Sequence, residues 1–146
     1  MNQVDTKKTI RERTDALEKS LASREQIDGK TSMVLAGGVL TRTIYLPKGA
    51  EIVGTIHKKA NINVVIGDIS FTTDEGVKRI TGHHIFASPP GLKRAGIAHE
   101  DTIWTTISHT NLTDIREIEE ELIENPEDLQ TRRIGIATPK LERLEY

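Results

Sequence analysis

The sequence predicts a mainly β fold, a small barrel or sandwich, with a helix at each end of the chain. Residues 30–110 break into short β-rich runs, separated by turn residues at spacings of about 8–12 residues. The residues before this region are rich in helix formers, and an amphipathic helical pattern follows it. We therefore divide the chain into a helical segment (1–29), a β-barrel (30–110), a helix (111–125) and an extended tail (126–146).

Composition excludes several functional classes. The chain has 146 residues, which suits one domain with short appendages, and its aromatic share of 3% requires a core of Ile, Val and Leu. The net charge is −2 and no long block of Lys and Arg occurs, so no nucleic-acid partner is expected. The absence of Cys excludes disulfides and thiolate metal sites. No apolar run approaches the roughly 20 residues needed to cross a bilayer, so no membrane partner is expected.

The first element is a helix predicted over residues 6–23, which lack Gly and Pro. Ile10, Leu17 and Leu21 share one of its faces, and three apolar residues make only a thin stripe. Such a helix would be marginal alone in water. We therefore expect it to pack on the barrel or on another subunit.

The β region is predicted to contain seven strands. Pro47, Gly49, Gly76 and the Pro89–Gly91 turn separate them, with a bend at Gly67 and a break at Gly82. The predicted strands are 39–46, 51–57, 62–72, 77–81, 84–87, 95–98 and 103–107. Their number and spacing favour a small barrel or sandwich.

The last region begins with a helix start at Asp114, with Glu117 near the positive end of the helix. Apolar residues at 115, 118, 122 and 123 form one face, and Pro126 ends the helix. The tail is charged and thinly apolar. Ile134, Ile136, Leu141 and Leu144 are expected to dock on the barrel or on a neighbour.

Several short motifs follow one another in a distinctive order between residues 46 and 123. They are Leu46-Pro47-Lys48-Gly49, Gly54-Thr55-Ile56-His57-Lys58, Asn63, Asp74-Glu75-Gly76-Val77, Ser88-Pro89-Pro90-Gly91, Lys93-Arg94-Ala95-Gly96 and His99-Glu100-Asp101-Thr102-Ile103-Trp104-Thr105-Thr106-Ile107. Together they resemble a family of small cupin-like proteins encoded by tailed bacteriophages. The resemblance implies a cupin-like double-stranded β-helix, which is a small jelly-roll barrel. It also implies a phage source, and with it a place in the host cytoplasm or the virion.

The metal-binding motif of cupins is eroded in this chain. Metal-binding cupins are expected to supply two histidines and a glutamate from a first motif and a third histidine from a second. Here His57 remains, Asn61 stands in the region of the lost ligands, and Arg94 occupies the second-motif histidine position. Ser108 takes another expected histidine position, and His109 follows one residue later, on the opposite strand face. The eroded motif therefore predicts no cofactor. A divalent transition metal would need His57 together with at least two of Asn61, His99, Glu100 and His109.

The candidate ligand-binding residues are His57, Arg94, Trp104, His99 and Glu100. Arg94 could bind a phosphate or a carboxylate at the barrel mouth, or pair with Glu100 or with the neighbouring Asp101. His57 could face a ligand or lie at the rim of the barrel. No catalytic residue is identified.

Two of these candidates have alternative roles that the sequence leaves open. Trp104 could anchor the core beside Phe71 and Phe86, or form a pocket wall that stacks on a planar ligand. His99 could act as an acid–base group oriented by its acidic neighbours, or belong to a polar turn.

Three functional hypotheses follow. The first is a phage-encoded virion or accessory protein that acts by binding or assembly, through a homo-oligomer or other phage proteins that contact the N-terminal helix and the C-terminal tail. The second is a small-ligand binder, for a nucleotide or a sugar, in phage–host conflict. The third is a metal-dependent cupin enzyme. The eroded metal motif favours the first over the third.

Overall fold

The computed structural model describes residues 3–22, 30–129 and 141–144. The described residues contain two α-helices: α1 (Gln3–Ala22) precedes all the strands in the chain, and α2 (Ile115–Leu122) follows all but the last strand. The strands are β1 (Thr31–Ala36), β2 (Val39–Leu46), β3 (Glu51–Val53), β4 (Asn61–Thr73), β5 (Gly76–Ser88), β6 (Ala95–Ala98), β7 (Thr102–His109) and β8 (Leu141–Leu144). A single turn of 3-10 helix spans Pro126–Asp128.

All eight strands belong to one sheet. Their order is β3-β6-β4-β7-β2-β1-β8, and β5 pairs with the other edge of β4. Every pairing is antiparallel except that of β1 with β8, which is parallel. The sheet curls into a half-barrel, so the predicted mainly β, cupin-like barrel fold with a helix near each end is confirmed.

The sheet changes direction where β4 reaches Gly67. On one edge β4 pairs with β5 throughout; on the other edge, residues 62–66 pair with β7 and residues 69–71 with β6. Gly67 lies between these halves at a φ of 147°, and a Cβ there would stand 2.5 Å from Oγ1 of Thr102. Only glycine can adopt this positive φ and also avoid a clash with Thr102. The glycine therefore allows β6 and β7 to pair with the same edge of β4.

Two apolar clusters fill the inner side of the half-barrel. One lies beneath α2 and the other lies around the bend at Gly67. The first contains Met33, Leu35, Leu40, Ile118, Leu122, Ile123 and Leu129; the second contains Leu46, Ala50, Val65, Ile69, Phe71, Ile80 and Ala98. These are Ile, Leu and Val for the most part, as the low aromatic content requires.

Helix α2 closes one end of the half-barrel. Asp114 caps it by accepting a hydrogen bond from the backbone N–H of Glu117 at 3.1 Å, as the sequence predicts. The helix ends at Leu122, and the carbonyl of Leu122 accepts a bond from the backbone N–H of Lys58 at 2.8 Å. This bond ties the helix to the segment that carries His57.

Helix α1 packs on the barrel near β3 and the turn before β6. The ammonium group of Lys93, whose side chain is 10% exposed, donates to Asp15 at 2.6 Å and to Glu18 at 2.9 Å. These ion pairs therefore supplement the thin apolar stripe of α1.

Neither described helix combines the length and apolar character needed to cross a lipid bilayer.

The structure differs from the sequence prediction at several element boundaries. The predicted break at Gly82 is wrong, because β5 runs through it opposite Gly67. The predicted strand 51–57 ends at Val53, and His57 forms only an isolated bridge with Ile123. Strand β1 was not predicted, and part of the tail forms β8. Ser23, Ile134 and Ile136 lie outside the described residues.

Candidate functional site

A band of polar side chains crosses the inner face of the sheet between the two apolar clusters. Side chains alternate along a strand, so Asn61 and Asn63 of β4 face the same side as the fully buried Val65. The strand register places Thr106 of β7 beside Asn63, and Arg42 of β2 beside Thr106. Three neighbouring strands thus contribute polar groups at one level of the barrel, which we call the polar band.

Asn63 is the centre of the hydrogen bonds in the polar band. It is buried, and its Nδ2 donates to Oδ1 of Asn61 at 3.0 Å and to Oγ of Ser88 at 2.8 Å. Its Oδ1 accepts from Nε1 of Trp104 at 2.8 Å and from Oγ1 of Thr106 at 3.2 Å. In the described part of the chain no buried side-chain N or O lacks a partner. Asn63 thereby fixes the positions of four surrounding side chains.

Three aromatic rings lie next to the polar band and form what we call the aromatic cluster. Phe71 and Phe86 stack with their centroids 5.6 Å apart, and Trp104 meets them edge-on at 5.3 Å and 5.7 Å. The expected packing of Trp104 beside both phenylalanines is therefore present. Phe86 and Trp104 keep part of their surface exposed, so the cluster is both core and accessible wall.

Arg94 joins the aromatic cluster to the polar band. Its guanidinium carbon lies 5.1 Å from the centroid of Phe71 and 5.5 Å from that of Phe86. Nη2 donates to Oγ of Ser88 at 2.7 Å, and Nη1 donates to the carbonyl of Thr72 at 3.2 Å. A guanidinium has five N–H donors, and these two bonds leave the others available.

The charge of Arg94 is half-buried, and no carboxylate of the described residues is in contact with it. The pairing with Glu100 or Asp101 that the sequence left open does not occur, since Glu100 pairs with Lys48 and Asp101 accepts from the backbone N–H of Lys48. Burial lowers the pKa of Arg94, and the charge of Asp74 opposes that shift. The guanidinium remains a cation at any physiological pH. Cation–π interactions with the rings of Phe71 and Phe86 stabilise its charge.

His57 lies between the barrel and α2, on the side of the polar band. Burial lowers the pKa of His57, and the positive charge of Arg42 lowers it further. Arg42 donates to Oε2 of Glu119 on α2 at 3.2 Å, and both side chains are largely buried. The neutral form of His57 is therefore favoured in the folded chain, near a buried ion pair.

The other predicted site residues do not join this group. Nε2 of His99 bonds to Oγ of Ser70, a residue between the buried Ile69 and Phe71 and so on the outer face of β4. His109 is exposed while Ser108 is buried, as the alternation of strand faces predicts. Glu100 is mainly exposed at the bend.

The residues present do not fit the metal site that the cupin resemblance implies. A transition-metal site usually needs three or four N, O or S ligands that converge. His57 and Asn61 lie on the inner side, whereas His99 and His109 lie outside. Within residues 3–22, 30–129 and 141–144, no three His, Cys, Asp or Glu side chains are grouped to hold a metal ion.

The sequence predicts Arg94 and Trp104 as site residues but does not predict the residues that connect them, Asn63 and Ser88. The alternation of two Asn with Ile62 and Val64 signalled a polar inner face, because it places both amides on one side of the strand. The Arg42–Glu119 pair has no local signal, since 77 residues separate its members.

Comparisons with known proteins bear on the fold. No family model and no curated protein matches the chain. Among solved structures, KdgF from Halomonas sp. is 15% identical, with 63% of this chain and 88% of that chain covered and a TM-score of 0.50. A cupin domain from Bordetella pertussis is 16% identical, with 60% and 99% covered and a TM-score of 0.47.

A cupin superfamily protein from Desulfitobacterium hafniense is also similar, at 12% identity, with 62% and 88% covered and a TM-score of 0.47. These similarities give no indication of a bacteriophage source. Likeness at such identities concerns the fold and not the activity. The chain thus has a cupin-like β-barrel fold, and its similarity to these structures extends no further than that fold.

Proposed function

We propose that this chain binds a small ligand bearing a phosphate or carboxylate group, and that Arg94 receives that group. One observation carries the proposal: the Arg94 cation is half-buried, touches no carboxylate in the described part of the chain, and uses two of its donors. A partly desolvated cation gains free energy when an anion pairs with it. Guanidinium geometry matches both phosphate and carboxylate through paired N–H groups.

The neighbours of Arg94 support a ligand with a planar or sugar-like body. Phe86 and Trp104 offer partly exposed ring surface next to the guanidinium. The polar band supplies hydroxyl and amide groups whose positions Asn63 fixes. Aromatic surface beside a few oriented polar groups is typical of small-molecule sites.

The more specific hypotheses from the sequence remain proposals. A phage source and a role in virion assembly rest on the motif resemblance alone. Binding rather than turnover agrees with the described residues, in which no three His, Cys, Asp or Glu side chains are grouped to hold a metal ion. A metal-dependent enzyme would need ligands that converge on His57.

A thermal-shift screen tests the proposal. The panel contains nucleotides, sugar phosphates, sugar acids and their uncharged counterparts, against the wild type, Arg94→Gln and Arg116→Gln. Arg116 is exposed on α2, so its variant matches the loss of charge away from the site. A ligand at about 100 times its Kd should stabilise the wild type by about 2.7 kcal/mol.

The expected result is stabilisation of the wild type and of Arg116→Gln by an anionic compound, and its loss in Arg94→Gln. The uncharged counterpart should have little effect. Equal stabilisation of both variants, or no stabilisation by any anion in the panel, would count against Arg94 as the receptor of the ligand.

A further inference from the structure

Two side chains that can only donate fix the hydrogen-bond directions in the polar band. The indole of Trp104 and the guanidinium of Arg94 carry N–H groups and no acceptor. Trp104 donates to one end of the Asn63 amide at 2.8 Å, so that end is the oxygen Oδ1. The other end is therefore the nitrogen Nδ2, and the orientation of an amide whose two ends have the same shape is determined.

The hydroxyl of Ser88 is left as a free donor. Nδ2 of Asn63 donates to Oγ of Ser88 at 2.8 Å, and Nη2 of Arg94 donates to the same oxygen at 2.7 Å. A serine hydroxyl has two lone pairs and one proton, so these bonds occupy both lone pairs. Within the described residues the hydroxyl makes no third bond. Ser88 is buried, and a buried proton gains when it meets an acceptor.

The hydroxyl of Thr106 has the opposite polarity. Oδ1 of Asn63 can only accept, so in the 3.2 Å contact the threonine is the donor. That bond uses the Thr106 proton and leaves its lone pairs, to which no residue in the described part of the chain donates. A ligand group beside Thr106 must therefore donate. A keto, ether or carboxylate oxygen there would meet lone pairs.

The free donor and the free acceptor lie close together on the inner face. Thr106 pairs with Asn63 in the sheet, and partners in an antiparallel register share a face. Both hydroxyls bond to the single amide group of Asn63, so one compact molecule can reach Ser88 and Thr106 together. Thr106 keeps part of its surface exposed, which leaves its oxygen accessible from the inner side.

We infer that the ligand of the proposed anion site is a hydroxylated acid: its acidic group meets Arg94 and Ser88, and a hydroxyl of the same molecule donates to Thr106. The inference rests on the proposed function, because it names the class of ligand for that site. Thr106 then selects a hydroxyl over a keto or methoxy group. A second acidic group finds no free cation beside Thr106, since Arg42 already pairs with Glu119 at 3.2 Å.

NMR titration of the full chain with two series of small anions tests the inference. The carboxylate series is β-hydroxybutyrate, acetoacetate and butyrate. The phosphate series is hydroxypropyl phosphate with its hydroxyl on the middle carbon, hydroxyacetone phosphate and propyl phosphate. Within a series the compounds share the acidic group and differ at one carbon, which carries a hydroxyl, a keto oxygen or only hydrogen. The wild type should bind the hydroxyl compound about fivefold more tightly than the other two.

Thr106→Val tests the acceptor, because valine keeps the shape of threonine and removes its oxygen. This variant should bind all three compounds of a series equally, at the affinity that the wild type has for butyrate or propyl phosphate. Thr105→Val is the matched control. Thr105 is the neighbouring residue of β7, its side chain faces the outer side of the sheet, and its hydroxyl bonds to that of Thr43 at 2.8 Å. The control should keep the preference of the wild type.

The outcomes separate this inference from the proposed function. Equal binding of the three compounds by the wild type, or loss of the preference in both threonine variants, overturns the inference while the anion site stands. A Thr106→Val variant that weakens all three compounds alike overturns it too, because the threonine then has only a structural role. Failure of both series to bind a chain that other anions stabilise through Arg94 has the same meaning. If Arg94→Gln binds the probes as tightly as the wild type, the proposed function itself fails.

Discussion

The indole N–H of Trp104 donates to Oδ1 of Asn63 over 2.8 Å, and this bond links the aromatic cluster to the polar band. The same oxygen accepts from Thr106, while the amide nitrogen of Asn63 donates to Asn61 and Ser88. A buried side chain that satisfies four neighbours holds all of them in one arrangement. The geometry of the proposed ligand site therefore depends on Asn63, which need not touch the ligand itself.

Asn63→Ala should destabilise the chain much more than Asn61→Ala. The first removes four side-chain bonds and leaves Trp104 and Thr106 without their acceptor, which should lower the free energy of unfolding by about 3 kcal/mol. Asn61 takes part in one bond with Asn63 and a longer one to the carbonyl of Lys59, so its loss should cost about 1 kcal/mol. Urea denaturation followed by circular dichroism measures both. Equal losses would show that Asn63 is not the centre of the band.

Gly67→Ala should be far more damaging than Gly82→Ala, although the two glycines lie opposite each other on β4 and β5. Both have positive φ, but a Cβ at Gly67 would strike Thr102, whereas nothing lies within 4 Å of a Cβ at Gly82. We expect losses of about 3 kcal/mol at Gly67, from strain and overpacking, and of about 1 kcal/mol at Gly82, from backbone strain. Thermal and urea unfolding of the two variants provide the measurement. Similar losses would mean that close approach at the bend is unimportant.

The sequence predicted the elements whose signals are local. The cap at Asp114, the apolar face of α2 and the opposite orientation of Ser108 and His109 all follow from spacing along one element. The predicted end of a strand at Gly82 was wrong, because a glycine indicates a strand break unless the partner strand is known. It lies opposite Gly67, and that pairing is a property of the hairpin and not of either segment.

The candidate site was less predictable because its contacts join distant parts of the chain. Arg94 and Trp104 were identified individually, yet their connection runs through Asn63 and Ser88, on strands β4 and β5. The bond between Ser88 and Asn63 spans 25 residues, and that between Trp104 and Asn63 spans 41. Such networks depend on strand register, which one sequence specifies only through the complete fold.

The buried pair of Arg42 and Glu119 should show strong energetic coupling. Arg42→Met alone or Glu119→Leu alone should lower the free energy of unfolding by about 3 kcal/mol, because each leaves a charged partner in the interior. The double variant should lose less than the sum, by about 1–2 kcal/mol. A double-mutant cycle in urea measures the coupling.

The Lys59–Glu121 pair is the matched control for that cycle. It also joins a residue of the barrel region to α2, at 3.4 Å, although Lys59 follows β3 whereas Arg42 lies on β2, and its side chains are 55% and 27% exposed. Its coupling should be below about 0.5 kcal/mol. Coupling of the same size in both cycles would indicate that burial does not set the strength of the Arg42–Glu119 contact.

His57 should make the stability of the chain depend on pH in the weakly acidic range. Burial and the charge of Arg42 lower its pKa in the folded chain below the usual value of about 6.5. Between those two pKa values the unfolded chain binds more protons than the folded chain, so stability falls as the pH decreases through this window. Above about pH 6.5 the full stability is present, and below the folded pKa the loss levels off.

His57→Gln should remove this part of the pH dependence while keeping a neutral polar side chain at the position. The quantity to compare is the difference in free energy of unfolding between the wild type and His57→Gln, at about pH 7.5 and about pH 5. Carboxylates that titrate in both proteins cancel in that difference. We expect the wild type to lose stability relative to the variant as the pH falls, because protonation brings a second cation close to Arg42. A difference that is constant with pH would mean that His57 is protonated as readily in the folded chain as in the unfolded one, and that burial and the charge of Arg42 do not lower its pKa.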